Sequence, residues 1–239
     1  MKQAIGTVLV LVTALLCIRL GVWQLQRLSE RRAVNQLISD RSELPPVNLD
    51  QAVGPELLSF RAAGASGRFD YTRQIIRVGR PSNGVPGVVI LTPLLLDDSM
   101  ALLVERGWTP SPDARTVDLA PLTEPDSATL EGVLVEGSAW SAPQSDNWPL
   151  YLPGIHADSV QARYPYRLLP LILRRTDVPG HSSDAVFRPV QSPALSNGPH
   201  LGYAMQWFSF AAIALVGGWL LLYRNRGERA NQTIDSRPT

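Results

Sequence analysis

Residues 203–223 read YAMQWFSFAAIALVGGWLLLY, twenty-one consecutive positions without a formal charge. About 20 such residues, wound as an α-helix, cross the ~30 Å hydrocarbon layer of a bilayer. Tyr203, Trp207, Trp219 and Tyr223 set aromatics at both ends of the run, as an interfacial belt requires, and Arg224, Arg226 and Arg229 follow. The other end of the chain repeats the pattern. Residues 4–23 read AIGTVLVLVTALLCIRLGVW, interrupted only by Arg19. Near a helix end that arginine can snorkel to the headgroups, which lowers its cost. Two transmembrane helices, 4–23 and 203–223, are predicted, with the lipid bilayer as a permanent partner.

The first span reads as retained. Lys2 supplies an n-region, but no small-x-small cleavage site follows the apolar run, and Leu16 before Cys17 makes a poor lipoprotein signal. The chain opens with neither the Ser- nor the Arg-rich leader of a transit peptide, so a bacterial plasma membrane is the expected address. Arg224, Arg226, Arg229 and Arg237 follow the second span, whereas only Arg188 lies in the twenty residues before it. The positive-inside rule then places both termini in the cytoplasm, against the weaker opposing signal of Arg27, Arg31, Arg32 and Arg41 after the first span. Residues 224–239 are polar and read as a disordered cytoplasmic tail.

Residues 24–202 become an extracytoplasmic domain. Gln24–Ser39 continues helically until Pro45 and Pro46. Short β-like runs then alternate with turn signals: 60–69 and 73–78 around Asp70-Tyr71, 88–96 and 101–108 as a hairpin around Asp97-Asp98-Ser99, 129–135, and 168–174. Asn83-Gly84 and Pro86-Gly87 punctuate the chain, residues 158–164 read as a short helix, and 136–154 and 177–198 as loops. This spacing predicts a mainly β, α+β domain, a small antiparallel barrel or sandwich. The 20 prolines and 18 glycines agree with short elements.

Composition excludes several functions. Net charge is +1, so the global basic signature of a nucleic-acid binder is missing. Cys17 is the one cysteine, which removes an internal disulfide framework, a zinc finger, a CxxC pair and an iron–sulfur site. No GxSxG, P-loop, HExxH or GxGxxG occurs, and His156, His181 and His200 are far apart. Asp97-Asp98 reads as a solvated turn, since neighbouring residues of a strand face opposite ways. Asp146 and Asp158 stand in polar stretches without a companion motif. No enzyme is expected.

Two constellations remain. Arg19, Trp23, Arg27 and Arg31 recur every four residues as a cationic–aromatic stripe leaving the membrane. It reads either as interfacial anchoring or as a surface for anionic groups, a partner's carboxylates or the propionates of a haem. The second is Asn197-Gly198-Pro199-His200 at the start of the second span, with Asn197 as a cap and Pro199 in the first turn. His200, Tyr203 and Trp207 share one helix face there. The imidazole reads either as an interfacial side chain bonded to water or as an axial haem ligand, with the macrocycle stacked on the aromatics. Ala204, Ala211 and Gly218, seven apart, together with Gly6 and Thr13, suggest that the two spans pack together or against a partner.

Three blocks in order carry a resemblance: Gly21-Val22-Trp23-Gln24-Leu25-Gln26-Arg27, Val104-Glu105-Arg106-Gly107-Trp108-Thr109-Pro110, and residues 197–208, NGPHLGYAMQWF. Together they resemble the Surfeit locus protein family of cytochrome c oxidase assembly factors, over residues 4 to 224. Glu105 stands where that family often has Asn, and Gly198-Pro199 separate Asn from His. The resemblance implies an assembly factor without turnover that binds heme a and helps place it in oxidase subunit I, with haem-synthesising enzymes as further partners. It implies His200 as the haem-iron ligand with Trp207 beside it, and Arg106, Gly107 and Trp108, like Trp23 and Arg27, as structural or partner-facing. From the residues alone, Gly107 ends a strand and Trp108 caps the core. A haem-independent scaffold for oxidase subunits and, more remotely, a membrane-anchored hydrolase built on His156 and His181 are the alternatives.

Overall fold

A computed structural model of the chain describes residues 2–49, 59–137, 147–176, 187–190 and 195–235. In chain order the elements are α1 (Lys2–Ser42), β1 (Val47–Asn48), β2 (Ala62–Phe69), β3 (Ile75–Arg77), β4 (Gly87–Leu95) and β5 (Met100–Pro110). They continue with β6 (Ser127–Val135), β7 (Leu150–Leu152), α2 (Ala157–Val160), β8 (Arg167–Arg175) and α3 (His200–Asp235). The chain divides into two compact units: a helical one, residues up to Leu37 with those from Ala194, and a sheet unit, Ile38–Pro193.

In the helical unit, α1 is one helix of 41 residues. Nothing in 4–42 breaks it, and the residue before Pro45 is pushed out of helical geometry, so it stops there. Within 4–42 and 200–221 both helices are long and apolar enough to cross a membrane, and both are largely uncovered. Ile5, Leu9, Met205 and Ile213 are each more than 60% exposed. What α1 does bury is a narrow seam, Ala14, Cys17, Gly21, Gln24 and Leu28, at alternating spacings of three and four. Small residues answer from α3: Ala204, Ala211 and Gly218 are buried. A Cβ on Gly21 would stand 2.6 Å from the Phe208 ring, and one on Gly218 2.6 Å from Val10 Cγ1, so both glycines allow close approach of the backbones. The contacts Val10–Gly218 and Gly21–Phe208 make the pair antiparallel.

Two expectations for these helices change. Gly6 and Thr13 are exposed and lie off the seam; Ala14, one position later, falls on the buried spacing instead. The backbone also stays helical through Asp235, where disorder is expected from 224 onwards. Residues 224–235, RNRGERANQTID, contain no proline and are rich in helix formers, so nothing local ends the helix at the span boundary.

The sheet unit holds eight strands in the order β1-β2-β6-β8-β5-β4-β3-β7. Additional rungs between β2 and β4, Arg68 with Leu95 and Phe69 with Leu94, connect β2, β6, β8, β5 and β4 in a circuit. The sheet is mixed, not antiparallel as expected, because β1–β2, β3–β7 and β5–β8 pair parallel. Parallel neighbours need long crossovers, and β5 reaches β8 only after β6, β7 and α2. Part of the expected loop 136–154 is β7. The β4–β5 hairpin, the short helix and the positions of β2, β6 and β8 follow the sequence expectation. At Asn83-Gly84 both residues have positive φ, and Ser82 and Val85 exchange backbone bonds of 2.9 and 3.0 Å, the two-residue turn that suits a twisted hairpin.

Burial along β4 and β5 is nearly continuous, as in strands covered on both faces. Ala101 and Leu103 enter a cluster with Ile75, Leu91, Leu150 and Val160, while Leu102 and Val104 enter another with Phe69, Leu130 and Leu173. Ile76, Val88, Ile90 and Leu122 form a third.

Asp70 pins the chain between β2 and β3. Its carboxylate accepts from Thr72 N (3.0 Å), Thr72 Oγ1 (2.5 Å) and Tyr166 Oη (2.7 Å), and Arg73 lies 3.3 Å away. Burial pushes its pKa up, but the bonds from Thr72, Tyr166 and Arg73 outweigh this and hold it below the ordinary 3.8. A carboxylate with a depressed folded-state pKa contributes stability above its unfolded pKa and loses it as pH falls through the folded value. Asp70→Asn is therefore expected to destabilise the protein at pH 7 and to flatten the loss of stability below pH ~4. Urea midpoints of both proteins at pH 7 and 3 check this; parallel pH profiles would refute it.

Candidate functional site

Among the candidate residues at the spans, the structure brings His200 to a side chain that the sequence reading passed over. Gln24, 9% exposed on the α1 seam, places Oε1 2.8 Å from His200 Nδ1. An amide oxygen only accepts, so this contact uses Nδ1 as the donor, and in the neutral imidazole of that form Nε2 is the acceptor. His200 is the first residue of α3 and half-buried. Gly198 stands beside its other edge with φ +65; a Cβ there would lie 3.2 Å from Cδ2 and 3.3 Å from Nε2. Two demands, a left-handed backbone and room at the Nε2 edge, thus coincide at a glycine. Asn197 does not take up the expected capping role with its side-chain oxygen, which accepts instead from Asn35 Nδ2 on α1 at 3.3 Å. The helix starts one residue after Pro199, whose carbonyl accepts from Tyr203 N.

The other predicted residues lie off this pair. Tyr203 is 48% exposed, and Trp207 meets Phe210 edge-on at 5.9 Å. Arg19, Trp23, Arg27 and Arg31 are exposed. Within the stripe the Arg27 guanidinium lies 5.8 Å from the Trp23 ring centre and 2.8 Å from Glu30, so part of its charge is matched locally. A neutral imidazole whose Nδ1 is bonded to the Gln24 carbonyl oxygen is the donor type that a haem iron accepts, and in that respect the residues fit the group.

The block Glu105-Arg106-Gly107-Trp108 lies in the interior of the sheet unit. A register shift pairs Ile90 with Gly107 but Leu91 with Glu105, leaving Arg106 as the extra residue of a bulge on β5. Arg106 is 1% exposed. Its guanidinium bonds Glu124 Oε1 through Nη2 (2.7 Å) and Nε (3.0 Å), donates to the Leu122 carbonyl, and lies 5.0–5.4 Å from the ring centres of Phe69, Tyr71 and Phe187. Arg175 Nη1 reaches the second Glu124 oxygen at 2.7 Å. Glu105, also 1% exposed, takes Arg77 on one oxygen and Arg174 Nε at 2.6 Å on the other. Burial pulls the Arg77 guanidinium below its ordinary value, and Glu105 opposes that. Trp108 donates from Nε1 to the Arg80 carbonyl (2.5 Å) and exchanges backbone bonds with Arg188.

These burials correct the partner-facing expectation for Arg106, Gly107 and Trp108. Arg106 and Trp108 expose 1% and 3% of their surface, and a Cβ on Gly107 would overlap the Phe187 ring. Nor does Gly107 end the strand, since β5 runs on to Pro110. An acid and an arginine inside the apolar run ALLVERGW were the available signal that this strand carries buried ion pairs.

The SURF1 family matches over residues 11–212, which takes in most of α1, the sheet and the first thirteen residues of α3. The chain belongs to the SURF1 family. A SURF1-like protein of Rickettsia bellii is 26% identical over 220 residues, covering 87% of this chain and 86% of that protein. An uncharacterised SURF1-like protein of Mycobacterium bovis is 25% identical over 244 residues, 98% of this chain and 88% of its own length. The cytochrome oxidase assembly protein SHY1 of Saccharomyces cerevisiae is 26% identical over 106 residues, 41% of this chain and 27% of SHY1. In this SURF1 chain no group of three His, Cys, Asp or Glu able to hold a metal ion occurs among the described residues. His156 lies at the surface, 3.7 Å from an exposed Asp158, and His181 and Asp146 fall outside the described residues. Asp97 caps its own turn by accepting from Ser99 N and Oγ at 2.7 and 2.8 Å.

Proposed function

We propose that this SURF1 protein is an assembly factor for cytochrome oxidase, held in a bacterial plasma membrane by α1 and α3, that takes heme a at His200 and helps place it in subunit I. The observation that carries this reading is the family match across residues 11–212, in a family whose SHY1 relative is named for oxidase assembly. The apolar outer surfaces of α1 and α3 suit lipid, and the arginines after residue 223 favour a cytoplasmic C-terminus. An antiparallel partner helix then puts the N-terminus on the same side. His200 supports the haem part, through its Nδ1–H bond to Gln24 and the bare Gly198 beside Nε2. When bound, the haem would supply an iron that a neutral imidazole nitrogen such as that of His200 could hold. Arg19, Trp23 and Arg27 are the cationic and aromatic groups we assign to the membrane surface and to anionic groups of the cofactor or oxidase.

Protein purified from cells that make heme a is expected to show a Soret band, and His200→Ala to lose it while remaining in the membrane fraction. Retention of the band in His200→Ala would remove the ligand assignment. A colourless wild type that still co-purifies with subunit I would favour a haem-independent scaffold. Extraction of the chain by alkaline carbonate would remove the membrane reading.

A further inference from the structure

We infer that Gln24 is a positioning residue for His200: its side-chain carbonyl holds the imidazole in the Nδ1–H tautomer and presents the Nε2 lone pair to a metal-centred macrocycle of the haem class. This rests on the haem reading proposed above. Gln24 is the one polar side chain among the five seam residues of α1, between Gly21 and Leu28. A primary amide placed at 9% exposure in such a seam is unfavourable unless bonded, and the partner it meets is the imidazole of His200. Were the pair only a cross-helix hydrogen bond, either ring nitrogen would serve and the far edge could be packed. That edge lies beside Gly198, which brings no side chain to it; a Cβ there would stand 3.3 Å from Nε2. An acceptor on Nδ1 leaves Nε2 as the ligating nitrogen, since the bond at one nitrogen fixes the other's role, and Gly198 adds no side chain beside it.

The test uses full-length protein in detergent with 15N-labelled histidine. Two-bond 1H–15N correlations of His200 without cofactor are expected to show protonated Nδ1 and unprotonated Nε2. Gln24→Leu keeps the seam apolar and removes the acceptor. It is expected to shift His200 towards the Nε2–H form and to weaken haemin binding, followed by visible absorbance, by about ten- to a hundredfold. Gln24→Glu keeps an acceptor oxygen and is expected to restore both properties. Asn35→Ala, which removes a second cross-helix polar bond, is expected to leave both unchanged. Protonated Nε2 in the wild type overturns the inference whatever haemin does. Unchanged haemin affinity in Gln24→Leu overturns it while leaving the haem reading standing. A wild type that binds no haemin overturns both.

Discussion

Replacing Glu105 with glutamine is expected to lower the unfolding free energy by about 3–5 kcal/mol, the cost of breaking a buried ion pair from one side. Glu105 lies between two guanidiniums, Arg77 and Arg174, and its side chain is fully enclosed. Glutamine keeps the shape and one carbonyl but removes the charge that both arginines share. They then lose the anion they share, in a region where the effective dielectric is far below that of water. A matched control is Glu30→Gln, whose pair with Arg27 has side chains 53% and 61% exposed. That change is expected to move stability by less than about 1 kcal/mol, as exposed pairs do. Urea titration of both variants in detergent, followed by tryptophan fluorescence, separates the two. Equal midpoints for Glu105→Gln and Glu30→Gln would refute the assignment of Glu105 as the central anion of the sheet.

Gly107→Ala is expected to destabilise by about 1–3 kcal/mol or more, as overpacking of a filled core does. The added carbon overlaps the Phe187 ring and approaches the Arg188 carbonyl to 2.9 Å. Neither neighbour moves cheaply. Phe187 lies over the Arg106 guanidinium, and Arg188 is fixed by two backbone bonds to Trp108 of 2.7 and 2.8 Å. The disturbance should therefore report at Trp108, whose near-UV signal is expected to change together with the midpoint. Gly6→Ala, in the other unit, meets nothing within 4 Å and serves as the neutral comparison. A Gly107→Ala protein as stable as Gly6→Ala would show that the Phe187 ring yields freely.

What could be read from the sequence followed physical range. The two long helices and the β4–β5 hairpin rest on patterns within one window, an uncharged run and an apolar pair around Asp97-Asp98-Ser99, and both are found. Strands β1 and β7, of two and three residues, are too short to show any period. The parallel β5–β8 pairing joins segments more than fifty residues apart and leaves no local trace. The seam was half legible: Ala204, Ala211 and Gly218 were found, while on α1 a small-residue rule chose Gly6 and Thr13 over Ala14, Cys17 and Gly21. At the site, His200 was identified through its neighbours on one helix. Gln24 escaped because its meaning comes from a residue 176 positions away. The partner-facing alternative for Arg106 and Trp108 came with the family resemblance and not from the residues themselves; the bulge and Glu124 turn Arg106 inwards.

The bond from Asn35 to Asn197 spans 162 positions of chain and closes them into a ring. The entropy needed to close such a loop grows only logarithmically, by about 0.6 kcal/mol for each doubling in length. The tether between the helices can therefore be lengthened with little penalty, but a floppy tether would still have to be closed each time the helices meet. A folded sheet shortens that search by restricting how far its ends can wander. Zipping of the helices and completion of the sheet should thus favour each other, so that damage to either loosens both.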